Sequence, residues 1–251
     1  MDISIIICTR NRALHLRRTL DAMANLSVVP GTSVELLVVD NGSTDNTRAV
    51  IEACSLPNMS VRYVWEPKPG LANAKNAGIT HARGDVIAIT DDDLIPRPDW
   101  LAKLCASVLS GYADAATGPY VIPSHLNRSW MTDWHRAWMG VISKKQPGYV
   151  TSALGGNFAF ARRVLKAVPG FDPELGAGRL GFGEDTLFSW QLAEAGYSIA
   201  FVPDAVLEHH FDPERLLRRH WLDNARQRGR SRAYLDYHWK HLDIPDARKQ
   251  L

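Results

Sequence analysis

The sequence predicts an α/β fold built on a parallel sheet, and three observations carry that expectation. Short runs of β-branched and apolar residues recur at 4–8, 34–39, 61–65 and 85–90, the composition of strands buried on both faces. Each run gives way to a stretch with helical spacing, and strands alternating with helices favour parallel pairing. Three of these runs also end in polar clusters, Thr9-Arg10, Asp40-Asn41 and Asp91-Asp92-Asp93. In parallel sheets, ligands sit in the crevice beyond the carboxyl ends of the strands.

The elements follow in order. After the first strand comes the loop Thr9-Arg10-Asn11-Arg12, then a helix through Leu14, Leu16, Leu20, Met23 and Leu26. The second strand ends at Asp40-Asn41-Gly42-Ser43-Thr44-Asp45, where Gly42 permits a tight turn. Ser43 or Asp45 is suited to cap a helix over 47–54. The third strand precedes Gly70, which opens a helix through Ala72, Ala74, Ala77 and Ile79. The fourth delivers three consecutive carboxylates before Pro96 breaks it, and a helix follows over 100–109. Adjacent carboxylates repel, so a buried strand ending in three of them needs a counter-charge, for which a hard divalent cation is suited. The plainer alternative is a solvated loop that caps the helix near Asp99.

The second half is less regular. A strand is expected over 115–122 and a helix over 129–142, with Trp130, Trp134 and Trp138 along one face. Core packing is the favoured role for those indoles, ahead of sugar stacking or a lipid-facing surface. Next come Leu154-Gly155-Gly156-Asn157-Phe158 and a glycine-dense loop over 176–183, which is either mobile or close to a ligand. Glu184-Asp185-Thr186 opens a helix through Leu187, Trp190 and Leu192, where the helix dipole alone accounts for acidic residues. Short strands at 198–202 and 205–207 run into Glu208-His209-His210. Adjacent histidines on a strand face opposite ways, so only one of them serves a given pocket. A last helical region over 213–239 carries seven arginines, at 215, 218, 219, 226, 228, 230 and 232. They form either a face for phosphates or an anionic membrane, or an ordinary solvated surface.

Composition narrows the class. With 251 residues, 45% hydrophobic and 22% charged, the chain buries a full core and has no disordered character. No apolar run approaches the roughly 20 residues of a transmembrane helix, and no basic segment marks a secretion signal. Three cysteines without metal-type spacing read as small buried hydrophobes in a reducing cytoplasm. No Walker or dinucleotide fingerprint is present, which argues against an ATPase or an NAD enzyme. The net charge of +2 and the carboxylate cluster argue against nucleic acid as a partner.

Six stretches, in order across nearly the whole chain, resemble the inverting family-2 glycosyltransferases of the GT-A fold. They are Ile6-Ile7-Cys8-Thr9-Arg10-Asn11-Arg12, Val38-Val39-Asp40-Asn41-Gly42-Ser43-Thr44-Asp45 and Pro69-Gly70-Leu71-Ala72-Asn73-Ala74-Lys75-Asn76-Ala77-Gly78. Asp91-Asp92-Asp93 with Pro98-Asp99-Trp100-Leu101, Gly183-Glu184-Asp185-Thr186 and Ala205-Val206-Leu207-Glu208-His209 complete the set. Lys75 stands where the family often has arginine. Arg218-Arg219-His220-Trp221 only faintly echoes the Gln-x-x-Arg-Trp motif of processive synthases, which argues for a non-processive enzyme.

The resemblance implies a Rossmann-like, mixed but mostly parallel sheet flanked by helices, with a helical C-terminal extension. Residues 1–212 would be the transferase domain, nucleotide-binding to about 122 and acceptor-binding and catalytic from about 123 to 212. Residues 213–251 would pack on it as a basic extension. It implies sugar transfer from a nucleoside-diphosphate sugar, UDP-linked by preference, to an acceptor hydroxyl, assisted by Mn²⁺ or Mg²⁺. Thr9, Arg10 and Asp40 would meet the nucleoside, Lys75 and Asn76 the ribose and diphosphate, and Asp91 the ribose. Asp93 would hold the metal with help from His209, and Asp185 would be the catalytic base, with Glu184 as its alternative or support. Asn11 and Asp92 belong with the nucleotide in this reading, and Gly156, Asn157 and Trp134 with the donor or acceptor sugar. The acceptor would be a glycan, a lipid-linked intermediate or a small molecule. A cytoplasmic location, with peripheral membrane contact through the arginine-rich helix, is the matching expectation. The rivals are a sugar-nucleotide pyrophosphorylase, which lacks the basic glycine-rich loop it would need near Thr9, and a non-catalytic sugar-nucleotide-binding protein of the same fold.

Overall fold

The four apolar runs form strands β1 (Ile3–Thr9), β2 (Val34–Asp40), β3 (Ser60–Trp65) and β4 (Val86–Asp91). In this computed structural model, which describes residues 2–28, 31–142 and 147–243, they pair in parallel in the order β3-β2-β1-β4. Every residue of β1 and β2 is buried, because helices cover both faces. Alternation along β1 sends Ile3, Ile5 and Ile7 to one face, against Leu16 and Leu20 of α1 (Ala13–Met23) and Trp100 and Leu104 of α4 (Trp100–Leu109). Ile6 and Cys8 point the other way, towards Ala72 and Ile79 of α3 (Leu71–His81) and Phe188 of α6 (Glu184–Glu194). The remaining early helix, α2 (Thr47–Glu52), stops short of the expected residue 54.

Beyond β4 the sheet turns mixed. β9 (Asn157–Ala161) pairs antiparallel with both β4 and β6 (Ala115–Thr117), and β10 (Ile199–Phe201) and β8 (Gly148–Tyr149) complete eight strands. A second, three-stranded sheet has the order β5-β11-β7, from Leu94–Pro96, Leu207–His209 and Tyr120–Val121. The strand expected over 115–122 is therefore two strands in different sheets. Gly118 marks the break, where a side chain would collide with the Ala205 carbonyl, and Pro119 follows it.

The tryptophan segment departs further from expectation. Helix α5 covers only Asp133–Trp138, so Trp130 precedes it. Trp130 and Trp134 are 48% and 56% exposed, which overturns core packing as their role. A six-residue helix on the surface has no layer above it to bury an indole face, so Trp130 packs on Trp221 and Trp134 on Trp138, which itself meets Trp221. Helix α7 (Arg218–Tyr234) ends in a π-helical turn, Leu235–Trp239, and is tied down at two points. Ser231 donates to the Leu180 carbonyl and accepts from the Phe182 N–H, both at 3.1 Å, and Leu235 is buried with Leu175 and Leu187. Residues 244–251 of the expected extension lie outside the described residues. Among those described, no helix is long and apolar enough to cross a membrane.

Asn157 joins the two sheets. Its side chain is fully buried, accepts from the Trp100 indole (2.9 Å), and donates to the carbonyls of Ala205 (2.7 Å) and Pro119 (3.2 Å). The amide is thus spent on the framework. Asn157→Ala is expected to lower the unfolding free energy by about 2–4 kcal/mol, since it strands a buried indole N–H and two carbonyls. Urea denaturation measures this, and a loss under about 1 kcal/mol would contradict the bracing role.

Candidate active site

The strand ends converge on one cavity of about 770 Å³. β4 ends at Asp91, and Asp92 and Asp93 carry the chain across from the large sheet to β5 in the small one. Much of the counter-charge that the three carboxylates demand is internal. Arg12 spans two of them, Nε donating to Asp92 and Nη2 to Asp93, each at 2.7 Å. The second Asp92 oxygen accepts from the Thr9 hydroxyl (2.7 Å), and the Thr19 hydroxyl donates to its carbonyl (2.7 Å). Burial still pushes the Asp92 carboxyl up to about 7, against the pull of Arg12.

Pairing of β5 with β11 sets His209 opposite Leu94 and brings His210 N–H onto the Asp93 carbonyl at 2.8 Å. His209 is the buried member of the pair, while His210 meets Glu208 at 3.1 Å, as the alternation of a strand requires. Burial lowers the His209 pKa, which favours the neutral ring. Its Nδ1 donates to the Met139 carbonyl (2.9 Å), which leaves Nε2 as the acceptor, 3.7 Å from Asp93. Arg215, in a short turn over Pro213–Leu216 that Asp212 caps, stands 3.4 Å from that nitrogen and 3.9 Å from Asp93. Burial opposes ionisation of Asp93, but the positive charges of Arg12 and Arg215 hold its carboxyl below the ordinary range.

Asp91 differs from its neighbours. It lines the cavity, makes no hydrogen bond among the described residues, and is pushed by burial up to about 6 despite Lys75. Two carboxylates and an imidazole nitrogen at one cavity wall have the donor chemistry that Mn²⁺ or Mg²⁺ accepts. No three His, Cys, Asp or Glu side chains among the described residues converge closely enough to hold a metal unaided. The protein groups fit such an ion as part of its ligand set, with the other positions left for a ligand that arrives with it.

A second part of the lining is built at the start of α6, where Gly183 takes a left-handed φ of 93° and reverses the chain out of the glycine loop. Glu184 and Asp185 then take separate partners. Glu184 pairs with the buried Lys75 at 2.9 Å. Asp185 accepts from the N–H groups of Gly155 (2.9 Å) and Thr186 (2.7 Å). Burial and the Glu184 charge raise the Asp185 pKa, and Lys75 opposes them. A side chain at Gly155 would press on Asp185 and Lys75, and one at Gly156 would overlap Asp91. This close backbone approach lets two acids share the cavity.

Thr9, Arg10, Lys75, Asp91, Asp92, Asp93, Gly156, Glu184, Asp185 and His209 all line the cavity, as do Arg12, Asn41, Tyr120, Trp138, Arg215 and Arg228. Five expected site residues stand outside that wall. Asn11, at φ 53°, accepts from Thr44 N–H (2.7 Å) and ties two loops. Asp40 is buried, closing its own turn through Ser43 N–H (2.8 Å) with Tyr63 alongside (3.3 Å). Asn76 is bonded to both backbone groups of Phe171 at 2.8 Å. Asn157 braces the sheets, and Trp134 lies on the outer surface. In this structure four of these side chains serve the framework and Trp134 the surface, because strand ends need polar side chains to close turns as well as to meet ligands.

Comparison with known proteins converges on one class, the glycosyltransferases with a GT-A fold. Residues 4–168 match the model of glycosyl transferase family 2, and the chain belongs to that family. The succinoglycan biosynthesis protein ExoM of Rhizobium meliloti is 31% identical over 237 residues, which cover 91% of this chain and 72% of that protein. Among solved structures, a mannosyltransferase from Pyrobaculum calidifontis, in complex with GDP-Man and Mn²⁺, superposes with a TM-score of 0.65 at 24% identity. That match covers 84% of this chain and 57% of the other. S. aureus TarS 1-349 in complex with UDP-GlcNAc superposes with a TM-score of 0.60 at 20% identity, over 96% and 73% of the two chains. These two likenesses show a shared fold.

Folding raises the Asp91 pKa, so its contribution to stability is full below pH about 4 and is lost as pH rises through about 6. In chelator, wild type is expected to lose more stability across that window than Asp91→Asn, measured as the urea midpoint against pH. Parallel curves for the two proteins would contradict the buried, unpaired state of Asp91.

Proposed function

We propose that this glycosyltransferase moves a sugar from a nucleoside-diphosphate sugar to an acceptor hydroxyl with inversion, using Asp185 as general base. The observation that carries this reading is that one cavity is lined by two differently tuned sets of acidic groups. One set is Asp91, Asp93 and neutral His209; the start of α6 adds a single available carboxylate, Asp185, since Glu184 is paired with Lys75. Displacement with inversion needs one base on the face away from the leaving group. The raised pKa of Asp185 suits it to take a hydroxyl proton near neutrality.

Asp93 and His209 would hold Mn²⁺ or Mg²⁺ with Asp91 beside them, and Arg215 lies close enough to meet a phosphate. When bound, such an ion stabilises the charge that grows on the departing diphosphate. The bound Mn²⁺ of the Pyrobaculum mannosyltransferase and the carboxylate-rich wall here support this choice. Thr9 and Arg10 lie at the nucleoside end of the cavity in this reading. Lys75 acts from beneath, fixing Glu184 and so the first turn of α6. The relatives with bound donors include both a guanosine and a uridine nucleotide. The UDP preference is therefore tested as one member of a panel.

Calorimetric titration with UDP, GDP and the corresponding sugar nucleotides is expected to give metal-dependent binding of one base. No binding by the folded protein would contradict the proposal. Asp185→Asn is expected to keep that binding while slowing release of nucleoside diphosphate, with water or sugar as acceptor, by about 100-fold or more. Unchanged turnover in Asp185→Asn would remove it as the base.

A further inference from the structure

Arg228 is placed unlike its neighbours in the arginine-rich helix. Arg219, Arg226 and Arg232 pair with Glu214, Asp223 and Asp236. Arg228 instead reaches the cavity wall, with its guanidinium carbon 4.7 Å from the Trp138 ring centre and 4.3 Å from that of Phe182. Trp138 is packed in turn on Trp134, at 3.9 Å between centroids. A chain of contacts thus runs from the glycine loop through Arg228 to the surface indole. Trp138, covered by Arg228 and Trp134, is spent on holding this cation in place.

The polar groups of Arg228 are poorly satisfied. Nη2 donates to the Trp138 carbonyl at 3.3 Å, while Nε is buried without a hydrogen-bond partner. Among the described residues no carboxylate comes within ion-pairing distance of it. A desolvated cation of this kind is costly, and ring faces offset the cost only in part. Its contact with Phe182 ties it to the segment that leads into Asp185, and of the charges acting on it Asp185 favours the cation while Arg215 opposes it. A planar guanidinium held between rings presents paired donors that match a carboxylate or a phosphate.

We infer that Arg228 binds an anionic group of the acceptor, a carboxylate or a phosphate, and restricts the enzyme to negatively charged acceptors. The inference rests on the reading of Asp185 as the base that meets the acceptor. In that reading Arg215 and a cation at Asp93 and His209 hold the donor diphosphate, and Arg228 is left for a group of the acceptor.

The test is a binding comparison with Mn²⁺ and saturating nucleoside diphosphate, which together fill the donor end. Methyl glucuronide, glucose 6-phosphate and neutral methyl glucoside are titrated into wild type, Arg228→Met and Arg228→Lys. At least one anion is expected to bind wild type about 10-fold tighter than the neutral glucoside, the scale of a charged hydrogen bond. Which anion is preferred distinguishes a carboxylate from a phosphate ester. The preference should vanish in Arg228→Met and survive in part in Arg228→Lys, with nucleotide affinity unchanged. Arg228→Gln replaces the methionine variant if thermal melting shows the latter unfolded. Equal affinity for all three sugars, no binding of either anion, or a preference that survives loss of the charge would each overturn the inference. The nucleotide titration is read separately: its failure removes the donor reading, and the anion titrations are then run without nucleotide.

Discussion

Arg12 holds the end of β4 together. Three consecutive carboxylates at the end of a buried strand would repel one another and loosen the turn into β5. Arg12 bridges the second and third at 2.7 Å each, and Thr9 and Thr19 fix the second from its other side. That leaves Asp91 as the carboxylate without a bond of its own and Asp93 as the one shared with His209 and Arg215. The division of labour follows from geometry. Strand alternation points Asp91 into the cavity, while the turn gives Asp92 to the framework. The cavity therefore carries carboxylates that the framework leaves without a full counter-charge.

Much of the fold was legible because it rests on local composition. Runs of β-branched and apolar residues followed by helical spacing gave four parallel strands, with ends within a residue or two of those observed. The second half was harder for a physical reason: its strands are two to five residues long and owe their existence to tertiary pairing. The break at Gly118 depends on the Ala205 carbonyl, far along the chain, which no local window contains. Helical spacing of Trp130, Trp134 and Trp138 suggested a buried face, but spacing reports which residues share a side and says nothing of what covers it.

The site shows the same limit. The acids Asp91, Asp92, Asp93, Glu184 and Asp185 stood out, since clustered carboxylates are costly without a purpose. Their partners did not. Lys75 appeared as a ligand-facing cation and is buried beneath Glu184; Asn76 and Asn157 appeared as site amides and are bonded to the framework. A polar side chain at a strand end looks the same in sequence whether it meets a ligand or closes a turn. Arg215 and Arg228 lay within a cluster of seven arginines that read as one charged surface. The structure sorts that cluster into residues paired on the surface and residues turned into the cavity.

We propose that the carboxylates at the end of β4 take their cation together with the nucleotide. Electron paramagnetic resonance of Mn²⁺ tests it most directly, comparing wild type and Asp93→Ala with and without the preferred nucleoside diphosphate. The expected result is protein-bound Mn²⁺ in wild type only when nucleotide is present, and none with Asp93→Ala under the same conditions. Tight Mn²⁺ binding by the protein alone, or equal binding by both proteins, would contradict it.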